Sequence, residues 1–94
     1  MKVVGKRLLF EFGRNHADIT SQISTWVAEA EEAEWSTPND VRARYVGASF
    51  LSDNRVLFNI KGNRYRIDTK INYQHQIVLV KRIGTHSEYN KWRF

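Results

Sequence analysis

Apolar and polar positions alternate on both sides of Gly62-Asn63, within the stretch VLFNIKGNRYRIDTK from Val56 to Lys70. Alternation with period two around a Gly-Asn pair predicts a two-residue β-hairpin in which Gly62 supplies the positive φ. That turn pairs Lys61 with Arg64, Ile60 with Tyr65, Asn59 with Arg66, Phe58 with Ile67, Val56 with Thr69 and Arg55 with Lys70. One face then carries Val56, Phe58, Ile60, Tyr65 and Ile67. The other carries Arg55, Asn59, Lys61, Arg64, Arg66 and Lys70, with Asp68 as its only carboxylate. Side chains on one face of a strand recur every ~6.6–6.8 Å, close to the phosphate spacing of an extended nucleic-acid strand. A cationic face of that kind suits an anion; an ordinary solvated sheet face is the alternative.

The rest of the pattern supplies helices to cover the apolar face. Val3-Val4 reads as a short strand. A short helix follows over Lys6 to Gly13, with Leu8, Leu9 and Phe12 inward and Gly13 as its stop. Asp18 reads as the N-cap of a helix over Ile19 to Glu34. There Ile19, Ile23, Trp26, Val27 and Ala30 form an amphipathic stripe. Its outer face carries Glu29, Glu31, Glu32 and Glu34, read as solvated, with a protein-docking surface as the alternative. Acids at a helix C-terminus oppose its dipole, so something basic should lie nearby. Thr37-Pro38-Asn39-Asp40 opens another short helix, with Thr37 as cap, Pro38 first and Val41 and Tyr45 inward, ending at Gly47. Ser49 to Leu51 reads as a short strand. Gln76 to Ile83 is the third main strand, apolar on both faces and therefore internal or covered. A two-residue turn before it would set Asp68 opposite Lys81 and Arg66 opposite Ile83. Counting main elements, the order is β-α-α-β-β-β plus a short C-terminal helix: α+β, a mainly antiparallel sheet with helices on one face.

Ninety-four residues, 41% of them apolar, make one domain spanning 1–94 with a single core. The chain has no cysteine, which excludes disulfides and thiolate metal sites. It shows neither a membrane-length apolar run nor a signal-peptide core, and reads as soluble and cytoplasmic. The net charge of +5 conceals a sharper asymmetry. Residues 17–40 hold six acids and no Lys or Arg, whereas residues 41–94 hold eleven Lys/Arg and three acids. Such a division turns one side of a small domain toward a polyanion.

Thr85 followed by Glu88 is a capping box that starts a short helix at His86. Helical spacing places His86 and Tyr89 on one side, a turn apart. Free N–H groups at that helix start would favour an anion. A proton carrier and a phenol thus meet where the last strand ends; a plain capped helix with Tyr89 on the core is the bland alternative. His16, His75 and His86 have no metal-ligand spacing, so neither metal nor cofactor is implied, and His16 and His75 are assigned no role.

The run NRVLFNIKGNRYRIDTKINYQHQIVLVKRIGTHSEYNK resembles the HigB toxins of the RelE-like superfamily, in which a VFNIKGN-type hairpin and a THxEYD-type end recur. Trp35-Ser36-Thr37-Pro38-Asn39-Asp40 resembles their W-x-x-P-x-D/S segment. The resemblance implies a RelE-like α+β fold and the toxin of a type II toxin–antitoxin pair. It implies a metal-independent ribonuclease that cuts mRNA in the ribosomal A site and is neutralised by a helix-turn-helix, HigA-like antitoxin. By position, the family's basic strand residue falls on Arg66 and its C-terminal His and Tyr on His86 and Tyr89. Lys61, Arg64 and Lys70 meet other cationic positions, and Asn59 and Lys91 join them as phosphate or RNA contacts. One departure is Asn90, where an Asp is usual. A non-catalytic nucleic-acid-binding module and a subunit docking an acidic protein are the rival readings.

Overall fold

The computed structural model describes residues 1–93. Five strands form one sheet in the order β1-β5-β4-β3-β2: β1 (Lys2–Val4), β2 (Ser49–Phe50), β3 (Arg55–Ile60), β4 (Tyr65–Asn72) and β5 (Ile77–Thr85). All pairs are antiparallel except β1 with β5. The helices are α1 (Lys6–Asn15), α2 (Thr20–Glu32), α3 (Pro38–Arg44) and α4 (His86–Tyr89). The α+β class and the mainly antiparallel sheet are as the sequence indicates, with α3 and the two-residue β2 added to the main-element order. The apolar strand β5 is internal, between β1 and β4.

The β3–β4 ladder has the sequence-derived register from Arg55↔Lys70 to Ile60↔Tyr65. It stops there. Lys61 as well as Gly62 takes positive φ, so Lys61 and Arg64 belong to the turn rather than to the ladder. Val56, Phe58, Ile60 and Ile67 are buried against the helices with the whole expected stripe, Ile19 just before α2 and Ile23, Trp26, Val27 and Ala30 within it. Phe58 is the hub: Trp26 meets it edge-on at 5.2 Å, Tyr45 edge-on at 5.1 Å and Trp35 stacked at 6.3 Å. Aromatic pairs at these separations add stabilisation beyond their buried area.

Several local expectations are corrected. Helix α1 runs through Gly13, which is buried where α1 crosses α2; Leu8 is exposed while Leu9 is fully buried. Asp18 does not cap α2. It lies in a 3-10 turn (Ala17–Ile19), where its carboxylate accepts from Lys61 Nζ at 3.1 Å and from the Tyr65 hydroxyl at 3.2 Å. Helix α3 has the predicted capping box but ends at Arg44, before Gly47. His16 stacks on Phe12 at 3.9 Å, and His75 is exposed in the β4–β5 turn.

The acidic end of α2 has the basic neighbours its dipole calls for. The Met1 ammonium donates to the carbonyls of Ala30, Glu31 and Ala33; Lys6 pairs with Glu31 at 2.9 Å, and Arg44 pairs with Glu29.

The bond from Lys61 and then that from Tyr65 hold the Asp18 carboxyl below its ordinary value of 3.8. A depressed carboxyl stabilises the fold above its unfolded pKa and loses that contribution as pH falls through the folded value. Asp18→Asn should therefore be less stable than wild type at neutral pH, with the gap closing below about pH 4; denaturant titrations at several pH values measure this.

Candidate functional site

The sheet face turned away from α1 and α2 is not a solvent face. Leu57 and Asp68, directly opposite each other on β3 and β4, are both fully buried on it. Asp68 accepts from Arg55 through Nη2 at 2.5 Å and Nε at 3.3 Å, and from Arg82 Nε at 2.8 Å. A carboxylate with no solvent of its own needs such partners. Two strong cations of this face are thus committed to one buried acid.

The same triad shows where the third strand departs from the simple register. Near the turn, Thr69 pairs with Val80, as a two-residue turn requires; beyond it Asp68 pairs with Arg82 and Arg66 with Gly84. Lys81 is the extra residue of a β-bulge. Arg82, not Lys81, therefore faces Asp68, and Gly84, not Ile83, lies beside Arg66.

Gly84 matters because the chain turns back over it. A Cβ there would sit 2.8 Å from Trp92 Cζ2 and 3.1 Å from Glu88 Cβ, so α4 and its tail rest on bare backbone. Trp92 is held by the Arg82 guanidinium at 4.4 Å and edge-on by Tyr89 at 5.7 Å. The capping box of α4 is present, with Glu88 N–H donating to Thr85 Oγ1 at 3.2 Å and Thr85 N–H to Glu88 Oε1 at 2.8 Å. The His86 N–H is spent on the Arg64 carbonyl at 2.9 Å. The helix start therefore offers an anion less than its position suggests, and His86 is instead tied by its backbone to the β3–β4 hairpin.

The outcome is a convergence. The Arg66 guanidinium lies over the Tyr89 ring at 4.7 Å, and the rings of Tyr89 and His86 are 6.0 Å apart. Arg66 has no carboxylate partner among the described residues, and its buried Nε lacks a hydrogen-bond acceptor. Asn90 Nδ2 is 3.4 Å from His86 Nδ1, so the residue that replaces the usual Asp touches the imidazole.

The other candidates are dispersed. Arg64 is exposed in the turn and Lys91 is exposed beyond α4. Lys61 pairs with Asp18; Lys70, four residues along β4 from Arg66 and so ~13 Å away, pairs with Asp53 at 3.0 Å. Asn59, directly opposite Arg66, donates to the Gly47 carbonyl at 2.8 Å. Sequence reasoning missed Arg82, Gly84 and Trp92. The one signal for them was Trp92 at helical spacing from Tyr89.

The profile of the HigB toxins, described as the RelE-like toxic component of a toxin–antitoxin system, matches residues 19–92. The chain belongs to this family. No curated protein matches it. As a HigB-family toxin it has an antitoxin partner implied, and the match takes in the α2 stripe, the β3–β4 hairpin and α4 together. Among the described residues of this HigB-family chain, no helix is long and apolar enough to cross a membrane, and no group of three or more His, Cys, Asp or Glu could hold a metal ion.

Gly84→Val should lift α4 from the sheet and separate Tyr89 from Arg66 while the sheet persists. In NMR spectra the Arg66 side-chain protons should lose the upfield shift of the Tyr89 ring. Unchanged Arg66 signals in a folded Gly84→Val protein would show that α4 does not depend on bare backbone there.

Proposed function

We propose that this HigB-family toxin is a metal-independent endoribonuclease that cuts mRNA in the ribosomal A site, with Arg66, His86 and Tyr89 as its centre. The observation that carries the reading is the stacking of Arg66, with no carboxylate partner among the described residues, over the Tyr89 ring that His86 also approaches, on a face where Asp68 engages Arg55 and Arg82. The protein spends a buried acid on two arginines and leaves the third for an external anion.

Cleavage of RNA without a metal has three requirements. The 2′-hydroxyl loses its proton and attacks phosphorus; negative charge on the pentavalent phosphorane is stabilised; the bond to the 5′-oxygen breaks as that oxygen gains a proton. The products are a 2′,3′-cyclic phosphate and a 5′-hydroxyl. Arg66 takes the second task, since a planar guanidinium contacts two phosphate oxygens at once. Stacking on Tyr89 holds its plane before substrate arrives, so little reorganisation remains for the reaction. His86 moves a proton. Its Nδ1 faces Asn90, which leaves Nε2 for the substrate. Tyr89 orients Arg66, and an aromatic ring at this position is of the kind on which a base stacks.

Lys61, Arg64 and Lys91, with Asn59 directly opposite Arg66, extend the RNA-contacting surface, and Lys70 contacts a more distant part of the strand. Lys61 and Lys70 exchange their carboxylate partners for phosphate at modest cost, because exposed ion pairs are weak. A helix-turn-helix, HigA-like antitoxin is the proposed neutralising partner, and the ribosome presents the substrate.

Single-turnover cleavage on programmed ribosomes tests the assignment. Arg66→Ala should slow cutting by ~10²–10³-fold, the range for removal of one preorganised donor. His86→Ala should cost less, about 10²-fold, and leave a weak background. An Arg66→Ala protein that cuts at the wild-type rate would refute the proposal.

A further inference from the structure

A cleft of about 290 Å³ opens between α2 and the far end of β3, lined among others by Gln22, Thr25, Trp26, Tyr45, Asn59 and Lys61. It arises because β2 covers β3 only at Val56 and Leu57, leaving the stretch from Asn59 without a strand neighbour on that side. Two lining residues hold polar atoms that are closed to water and have no hydrogen-bond partner among the described residues: the Trp26 indole Nε1 and the Asn59 Oδ1. Buried polar groups are almost always satisfied, so two such atoms on residues that line one cleft, Trp26 from α2 and Asn59 from β3, require an explanation. Asn59 cannot resolve its own by turning over, because its Nδ2 is engaged with the Gly47 carbonyl. The two sides of the cleft thus hold a covered donor, the indole N–H, and a covered acceptor, the amide oxygen.

We infer that this cleft is a nucleobase subsite, which takes the base of a nucleotide next to the scissile phosphate. The inference rests on the ribonuclease reading above and names where that site continues along the strand. Every nucleobase carries a donor and an acceptor side by side on its pairing edge, and RNA-binding proteins read single-stranded bases through such edges and aromatic contacts. Position supports the match. Asn59 is the cross-strand neighbour of Arg66, about 5 Å away at Cα, so a wall residue of the cleft is paired with the strand position that carries the proposed phosphate ligand, and a strand of RNA reaches the cleft by passing over the β3 edge. Lys61, at its rim, supplies an ammonium for the next phosphate. The Asp18 carboxylate that pairs with Lys61 is itself exposed and easily exchanged. Gln22 and Lys61 are exposed wall residues with long side chains, and a base that reaches the two covered atoms requires local rearrangement of the lining.

The chain has three tryptophans, so its indole N–H region in a ¹H–¹⁵N spectrum contains three side-chain signals at most. Titration with the four ribonucleoside 5′-monophosphates, and with an uncleavable 2′-deoxy trinucleotide, reads the cleft directly. The Trp26 indole signal should move and saturate, and the base that moves it at lowest concentration is the preferred one. Thr25→Phe, which plugs the cleft from an exposed helix position, should weaken that response at least tenfold without altering the fold. Trp26→Phe, which keeps a ring against Phe58 and removes the N–H, should do the same where it folds. A Trp26 signal that stays still while Tyr89 and His86 respond would overturn the subsite. So would a signal that moves only with added antitoxin. Ribosomal cleavage by the same protein separates the two proposals: cutting with an unmoved Trp26 signal removes the subsite and leaves the nuclease, and a saturating Trp26 response without cutting does the reverse.

Discussion

A buried carboxylate between two arginines is the constraint from which the rest of this structure follows. Asp68 lies at the centre of the outer sheet face with no exposure to water, and Arg55 on β3 and Arg82 on β5 close on it from both sides. Removing one partner from such a group costs on the order of 3 kcal/mol, enough to hold the register of three strands. Meeting this demand from β5 while keeping Val78 and Val80 in the core requires an extra residue, and the bulge at Lys81 provides it. The bulge then decides what lies beside Arg66. Gly84 arrives there, its bare backbone admits Glu88 and Trp92, and α4 settles with Tyr89 over the guanidinium.

Charge is organised by the same logic at larger scale. The acidic end of α2 engages Lys6, Arg44 and the Met1 ammonium, and Asp18 and Asp53 engage Lys61 and Lys70. These are mostly exposed contacts that a polyanion can displace. The Asp68 contacts are not. The result is a graded surface: arginines fixed for architecture, lysines held loosely, and Arg66 held by an aromatic ring instead of an acid. A ring orients a guanidinium without neutralising it, which is what a phosphate site needs.

Much of this was legible in the sequence wherever a local rule decided the outcome. Alternation about Gly62 fixed the β3–β4 pairing; spacing fixed the α2 stripe; Thr37/Asp40 and Thr85/Glu88 announced two helix starts; His86 and Tyr89 were one turn apart. The convergence of Arg66 with that pair follows from these together. What the sequence concealed depended on distant partners. The bulge at Lys81 answers a demand set by Asp68, fourteen positions away from Arg82. Asp18 has the residue type of a helix cap, yet Lys61 and Tyr65 take its carboxylate from over forty residues away. The spacing of Leu8 and Leu9 suits burial of either, and only docking on α2 and β5 selects Leu9. Similar long-range bonds tie up Lys61 and Lys70, which on the strand pattern alone looked equivalent to Arg66.

The central claim is that Arg66 and His86 act on one phosphodiester. A double-mutant cycle on single-turnover ribosomal mRNA cleavage tests it most directly, comparing Arg66→Ala, His86→Ala and the pair with wild type. Groups serving one transition state lose far less together than the product of their separate losses, and the double variant should fall little below Arg66→Ala alone. Losses that multiply would show two independent roles and contradict the account.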